Sequence, residues 1–228
     1  MPRPLEIVIE RPDLYTITCN GKLVAARKGA WWLDKAFGRI DITTAAKVGE
    51  NAVTIKASPM TIFHELEPAY LLGDFSVEAR KSGFAVAPPK PLSLAAWDRQ
   101  GLPFYAEGVK YVQTFTIAKP SGSYRVALGR WYGSVARVTV NGKEVGYVGW
   151  QPCECDVTGS LRPGANTIEV TVIGTLKNTL GPHHAGKIAG TAWPAIFHQG
   201  PETGPPAGAA YDTLGYGLFE PFVLQNVK

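Results

Sequence analysis

The sequence repeats one pattern twice, and this repetition restricts the chain to folds built from two similar units. Residues 15–22 read YTITCNGK and residues 136–143 read ARVTVNGK. Each passage is an alternating strand that ends in Asn-Gly, a strong hairpin signal because both residues tolerate positive φ. The same landmarks then follow in the same order: Trp31-Trp32, Asp41 and Asn51 in the first passage, and Trp150, Asp156 and Asn166 in the second. Such self-similarity predicts two related β units in tandem.

The domain boundaries follow from this internal alignment. We place the first β-sandwich unit at residues 1–92 and the second at residues 93–228, with a stiff, extended connector at residues 88–91. The second unit has an additional opening strand at residues 110–117, and the first unit has no counterpart to it. The first unit is therefore predicted to be incomplete and to leave one sheet edge open. A strand of a partner can pair with such an edge.

Composition and alternation together predict the fold class. The 25 Gly and 18 Pro residues mark many turns, and few runs of helix-forming residues are present. Apolar residues alternate along two strands, at Val138 and Val140 and at Ile168, Val170 and Val172, which gives each sheet one buried face. We therefore expect an all-β chain made of two tandem antiparallel β-sandwiches of the jelly-roll type.

Charge, hydropathy and cysteine content exclude several classes of protein. The net charge of +4 is scattered, whereas nucleic-acid binding requires a concentrated basic stripe, so no nucleic-acid partner is expected. No apolar run approaches the roughly 18 residues of a membrane-spanning helix, so no membrane partner is expected either. Three cysteines cannot form a disulfide framework.

Several segments of the chain resemble parts of known glycoside hydrolases. The series VNGK, Trp, DVT and LRPGANTIEVTV between residues 140 and 172 resembles the sugar-binding, galactose-binding-like β-sandwich of glycoside hydrolase family 2. A longer series resembles the C-terminal region of large bacterial glycosidases, including those similar to family 106 α-L-rhamnosidases. It comprises residues 31–34, 65–68, 70–75, 180–184 and 216–222.

The resemblance implies an accessory role. In those enzymes the paired catalytic carboxylates lie on a (β/α)₈ barrel, which this sequence does not contain. The chain is therefore expected to be a noncatalytic carbohydrate-binding or ancillary module. Its implied partners are an oligosaccharide or polysaccharide, and a catalytic (β/α)₈ domain or a second copy of the chain. An extracellular or periplasmic location is implied if the chain belongs to an exported glycosidase, although residues 1–10 do not form a signal peptide.

Candidate ligand-binding residues are the aromatic and imidazole side chains near predicted turns. Sugar rings stack on Trp and Tyr through their flat C–H faces, because aromatic rings bury much area with little loss of rotamer freedom. The long passage 178–216 adds three of the four histidines, and long loops on rigid strands often bind ligands. The candidates are Trp31, Trp32, Tyr147, Trp150, His183, His184, Trp193 and His198. The same tryptophans could instead fill the ends of the sandwiches, and the imidazoles could bond loop carbonyls.

Two alternative hypotheses for the function remain open. A small glycoside hydrolase would need an acid and base pair, for which Glu65, Glu67 and Asp74 are the candidates. A purely structural domain would instead dock through one sandwich face. No cofactor is expected, but the resemblance leaves open a structural Ca²⁺ near Asp41 or Asp156.

Overall fold

The structure is a computed structural model that describes residues 2–65, 67–105, 107–184 and 203–227. The described residues form eighteen strands and a single short α-helix, α1 (Lys177–Leu180), so the all-β prediction is confirmed. The strands of the four-stranded and three-stranded sheets pair antiparallel. In the described part of the chain, no helix is long and apolar enough to span a bilayer.

The described residues form two compact units. The first lies within Met1–Phe75 and Ala87–Pro89, and the second within Ser76–Val86 and Lys90–Lys228. This division places residues 76–86 with the second unit, whereas the sequence alignment assigned them to the first. The predicted division near residue 92 stays a prediction about independently folding domains.

The first unit contains two antiparallel sheets, with orders β4-β5-β1-β7 and β3-β2-β6. Their strands are β1 (Leu5–Glu10), β2 (Thr16–Cys19), β3 (Lys22–Val24), β4 (Ala26–Trp32), β5 (Asp34–Asp41), β6 (Val53–Lys56) and β7 (Tyr70–Gly73). A 3₁₀ turn at Pro12–Leu14 connects β1 to β2. The core consists of alternate aliphatic side chains, which are Leu5, Ile7, Ile9, Ile17, Ile40 and Ile42, together with Cys19.

The second unit has a larger core. Its strands are β8 (Ser76–Ala79), β9 (Phe84–Ala87), β10 (Gly108–Ile117), β11 (Ser123–Ala127), β12 (Trp131–Tyr132), β13 (Val135–Val140), β14 (Lys143–Val148), β15 (Glu154–Asp156), β16 (Gly164–Ile173), β17 (Gly217–Leu218) and β18 (Val223–Val227). The main sheets have the orders β10-β16-β13-β14 and β15-β11-β18. The alternating residues Val138, Val140, Ile168, Val170 and Val172 all lie in this core, as their spacing predicts.

An Asn-Gly turn organises the first unit. Asn20 and Gly21 have φ values of 50° and 79°, which is the left-handed region that Asn and Gly adopt most readily. The side chain of Asn20 accepts a hydrogen bond from the Ala52 amide at 3.1 Å and donates to Asn51 Oδ1 at 2.8 Å. Asn51 in turn accepts from the Lys47 amide and donates to the Lys47 carbonyl, both at 2.8 Å. These bonds join the β2–β3 hairpin to the start of β6.

The second unit contains the same arrangement around Asn141, whose φ is also 50°. Asn141 accepts from the Thr167 amide at 3.1 Å and donates to Asn166 Oδ1 at 2.9 Å. Asn166 accepts from the Arg162 amide at 3.0 Å and donates to the Arg162 carbonyl at 2.8 Å. The β13–β14 hairpin is thereby joined to β16 by bonds between the same types of atom.

The two units differ at the strand that follows these bonds. In the second unit, β16 pairs with β13 on one side and with β10 on the other, over ten residues from Gly108 to Ile117. In the first unit, β6 pairs with β2, and no other described strand pairs with it. The predicted opening strand of the second unit is thus present as β10. No described strand occupies the equivalent place beside β6, so that edge of β6 is open among the described residues.

Candidate functional site

The hairpin of β4 and β5 is irregular at two places. Ala26 pairs with Ile40, but the next paired residue, Trp31, faces Gly38, so residues 27–30 bulge out of β4. Trp32 then pairs with Asp34, so residues 35–37 bulge out of β5. Bulges re-aim side chains and occur frequently beside binding sites.

The two bulges line a cavity of about 250 Å³. The 3₁₀ turn closes one wall, where Pro12 packs so closely on Gly38 that a Cβ at Gly38 would lie 2.5 Å from the proline ring. Glycine is therefore required at this position for the turn to approach β5. The volume is below the roughly 300–1,000 Å³ of typical pockets for drug-sized ligands. The lining residues are Arg11, Pro12, Asp13, Ala26, Arg27, Gly29, Ala30, Trp31, Lys35, Ala36 and Gly38.

Three cations and one carboxylate line this cavity. Arg11 donates to Asp13 from Nε at 3.0 Å and from a terminal nitrogen at 2.8 Å, and this pairing lowers the pKa of Asp13. Arg27 donates one hydrogen bond to Glu6, whose buried carboxylate also binds Arg39. Lys35 makes no ion pair with any residue that the structure describes. The charge of the cavity wall is therefore positive, with an unpaired ammonium group at Lys35.

Backbone strain lies at the same place. Arg11 and Leu33 have φ values of 44° and 62°, and outside the two Asn-Gly turns they are the only described non-glycine residues with positive φ. A left-handed conformation costs a residue with a Cβ about 1–2 kcal/mol. Leu33 forms the tip of the β4–β5 hairpin, and Arg11 precedes the 3₁₀ turn. Strain of this kind is frequently found at binding sites.

An acidic group lies at the end of β1. Burial raises the pKa of Glu10, and the negative charges of Glu65, Glu67 and Asp34 raise it further. None of these four carboxylates lines the cavity. Glu65 and Glu67 are exposed and do not lie on a strand, so the shared strand face expected for this pair does not form.

The structure separates the two adjacent tryptophans of the first unit. Trp31 is 48% exposed and lines the cavity. Trp32 is half-buried and packs against Tyr70, with ring centroids 5.2 Å apart. Of this pair, Trp31 is thus available to a ligand, and Trp32 packs within its own unit.

The candidates of the second unit fall into two groups. Trp150 is 81% exposed, and Tyr147 is half-exposed with its hydroxyl donating to Glu144 at 2.6 Å. His183 Nε2 donates to the carbonyl of Asn178 at 2.8 Å, and burial lowers the pKa of its imidazole. His184 packs edge-on against Tyr211, with ring centroids 4.6 Å apart. The remaining two candidates, Trp193 and His198, lie outside the described residues.

Asp41 and Asp156, near which a structural calcium ion is expected, each form a hydrogen bond within a turn. Asp41 Oδ1 accepts from the Thr43 amide and Asp156 Oδ1 from the Thr158 amide, each at 2.8 Å. These are turn-forming bonds, and the described residues contain no group of three or more His, Cys, Asp or Glu side chains placed to share a metal ion. The calcium ion near these residues stays an expectation. All three cysteines are free, as Cys19, Cys153 and Cys155.

Sequence reasoning missed the cationic wall of the cavity. Arg11 reaches it because its backbone is left-handed, and Arg27 and Lys35 reach it because they lie in bulges. Neither feature has a local sequence signature here. The nearest signal was the Trp31-Trp32 pair, since only one of two adjacent strand residues can face the core.

No protein-family model matches the chain. In sequence, the chain is 28% identical over 135 residues to a protein of Formosa agariphila named "Putative beta-glucuronidase". This match covers 57% of the chain and 11% of that protein.

Similar solved structures are also larger proteins. A rhamnosidase from Novosphingobium sp. PP1Y matches 98% of the chain at 19% identity, with a TM-score of 0.41 and 22% of its own length covered. The Bifidobacterium dentium beta-glucuronidase matches 66% of the chain at 19% identity, with a TM-score of 0.36 and 28% of its length covered. The chain thus spans between about a tenth and three tenths of these proteins, and over part of its length it is similar in sequence to a glycoside hydrolase.

Proposed function

We propose that the chain is a noncatalytic carbohydrate-binding or ancillary module of a glycoside-hydrolase-like protein. One observation carries the proposal: a half-exposed tryptophan, Trp31, lines a small cavity whose lining also includes four charged side chains. A sugar ring has a flat apolar face and a rim of hydroxyls, so it matches an aromatic surface beside hydrogen-bonding groups. The proposal includes a jelly-roll topology for both units, each being a copy of one ancestral unit.

Trp150 is a second candidate sugar contact, in the second unit. At 81% exposure it is the most exposed of the described tryptophans, and the sequence aligns it with the Trp31-Trp32 pair. An indole left in water gains apolar burial when a sugar ring covers it. Each unit thus has an exposed tryptophan, Trp31 in the first and Trp150 in the second, that is a separate candidate for a sugar contact.

The test is a titration of the protein with plant and bacterial oligosaccharides, measured by calorimetry and affinity electrophoresis. The Trp31→Ala variant is expected to weaken binding roughly ten-fold, because it removes the stacking surface. The matched control is Phe63→Ala, since Phe63 is an exposed aromatic residue of the same unit that does not line the cavity. Absence of binding to the whole panel, or equal losses in both variants, would contradict the proposal.

A docking role is a second candidate, and the open edge of β6 favours it. An unpaired strand edge offers a row of backbone donors and acceptors to a strand of a partner. The occupant is a strand of a catalytic (β/α)₈ domain or of a second copy of the chain. Light scattering at increasing protein concentration tests for a second copy, and a concentration-independent monomer mass excludes it.

Catalysis by this chain is the remaining alternative. The closeness of Glu10 to Glu65 and Glu67, whose negative charges raise its pKa, favours it, because glycosidases use a pair of neighbouring carboxyl groups. Incubation with aryl-glycosides distinguishes this alternative from binding. Hydrolysis that is lost in Glu67→Gln supports catalysis, whereas no release of the aryl group supports the module.

A further inference from the structure

The cavity beside Trp31 has more positive charge than a neutral sugar needs. Its charged lining residues are Arg11, Arg27 and Lys35 against a single carboxylate, Asp13. Neutral hydroxyls are bonded equally well by amides, hydroxyls and carboxylates. An excess of cations at a stacking surface indicates a ligand that carries negative charge.

The three cations differ in how far their charge is already neutralised. Arg11 directs two of its nitrogens to Asp13. Arg27 gives a single hydrogen bond to Glu6 and keeps a side chain that is 59% exposed. Lys35 forms no ion pair within the described residues. Arg27 and Lys35 therefore retain donors that an anionic group can use.

The way Arg27 is held also favours anion binding. Glu6 has a side chain that is only 4% exposed, and it binds both Arg27 and Arg39. One buried carboxylate thus faces two partly exposed guanidinium groups, so this cluster keeps one positive charge in excess. The ion pair positions Arg27 at the cavity wall and lowers the loss of side-chain entropy when a ligand binds.

The size of the cavity limits the ligand. A volume of about 250 Å³ is less than drug-sized ligands occupy, and it suits one sugar ring with its substituents. Trp31 and the three cations line this one cavity, so a single ring placed there can meet both an aromatic surface and a cation.

We infer that this cavity binds one acidic sugar residue, with Trp31 under the ring and Lys35 and Arg27 at its carboxylate or sulfate group. The inference rests on the proposed carbohydrate-binding function and specifies its ligand class. Both anionic groups accept hydrogen bonds from ammonium and guanidinium donors. Because the same donors can bind a carboxylate or a sulfate, an experiment is needed to tell these two groups apart.

The experiment uses two matched ligand pairs. One is an oligogalacturonide and its carboxyl-reduced counterpart, and the other is a sulfated galactan oligosaccharide and its desulfated counterpart. Calorimetry at low salt is expected to give tighter binding of the charged member in at least one pair, and higher salt should weaken that binding by screening. The pair that shows the preference identifies the anionic group.

Variants then locate the preference. Lys35→Gln is expected to weaken binding of the charged member by up to about five-fold, the upper end for one exposed ion pair, and to leave the neutral member unchanged. Lys35→Arg should restore it. The control is Lys28→Gln, which removes the same charge from the bulge of the paired strand β4, at a residue that does not line the cavity. Thermal melting of each variant verifies that it is folded.

The outcomes separate the two proposals. If neutral and charged sugars bind equally and Trp31→Ala weakens both, the acidic-sugar inference is wrong and the carbohydrate-binding proposal stands. If Lys28→Gln and Lys35→Gln have equal effects, the preference comes from the overall charge of the protein, and the inference is again wrong. If no ligand binds, both proposals fail.

Discussion

The two units hold their Asn-Gly turns with the same hydrogen bonds but protect these bonds from water to different degrees. Asn166 in the second unit is fully buried, whereas Asn51, which makes the same bonds in the first unit, is exposed. The strands at these asparagines, β16 and β6, differ in burial in the same way. Val170 on β16 is fully buried, and Ile55, at the matching place on β6, is 42% exposed.

This difference follows the presence of β10. It covers the outer edge of β16 along its whole length, while β6 has no such neighbour among the described strands. Local sequence therefore determines the turn and its hydrogen bonds, and we expect the presence of a distant strand to determine how much they contribute to stability.

The largest difference is expected for the paired asparagines. Asn166→Ala should lower the free energy of unfolding by roughly 3 kcal/mol, because it leaves buried donors and acceptors without partners. Asn51→Ala should cost about 1 kcal/mol, since water replaces the lost bonds at an exposed site. Urea unfolding of each variant measures the difference.

Equal losses for the two asparagines would contradict this interpretation. They would mean that the turn stabilises both units to the same degree whether or not a covering strand is present. Asn166→Asp is a useful additional variant because it keeps the acceptor for the Arg162 amide and loses the donors to Arg162 and Gly164.

A smaller difference is expected for the strands themselves. Val170→Ala should lower the free energy of unfolding by about 2 kcal/mol, as two buried methyl groups are lost from a fully packed site. Ile55→Ala should cost about 1 kcal/mol or less, although it removes more carbon atoms. A larger loss for Ile55→Ala, by urea unfolding at the protein concentrations used for light scattering, would indicate that β6 is covered in solution.

Local sequence signals predict the strands and turns of this chain, but they do not predict how distant segments pack together. The alternation of Val138 and Val140 and the Asn-Gly pairs are local signals, since a strand has period two and few residues accept positive φ. They predicted the strands, the hairpins and the additional strand β10. They did not predict that residues 76–86 group with the second unit, because this grouping depends on long-range packing.

The candidate site was predictable only in part for a related reason. A tryptophan that stacks a sugar and one that fills a core have the same sequence signal, and the structure separates Trp31 from Trp32 by their facing directions. Arg11 and Lys35 gave no signal, since their positions depend on a strained backbone and a bulge. Such irregularities in strand pairing shift a side chain without a change in composition.

The smallest effects are expected where the units are most alike, at Asp41 and Asp156. Hydrogen bonds from Thr43 and Thr158 lower the pKa of these two carboxyl groups. Since the folded pKa lies below the unfolded value near 3.9, each ionised group contributes stability that is complete at neutral pH and is lost as the pH falls through the folded pKa. Asp41→Asn and Asp156→Asn keep the acceptor oxygen and should each change stability only slightly at pH 7. Each should also reduce the loss of stability between about pH 5 and pH 2. Urea unfolding across this range measures both effects, and a large loss at neutral pH in one variant alone would show that the two turns are not equivalent.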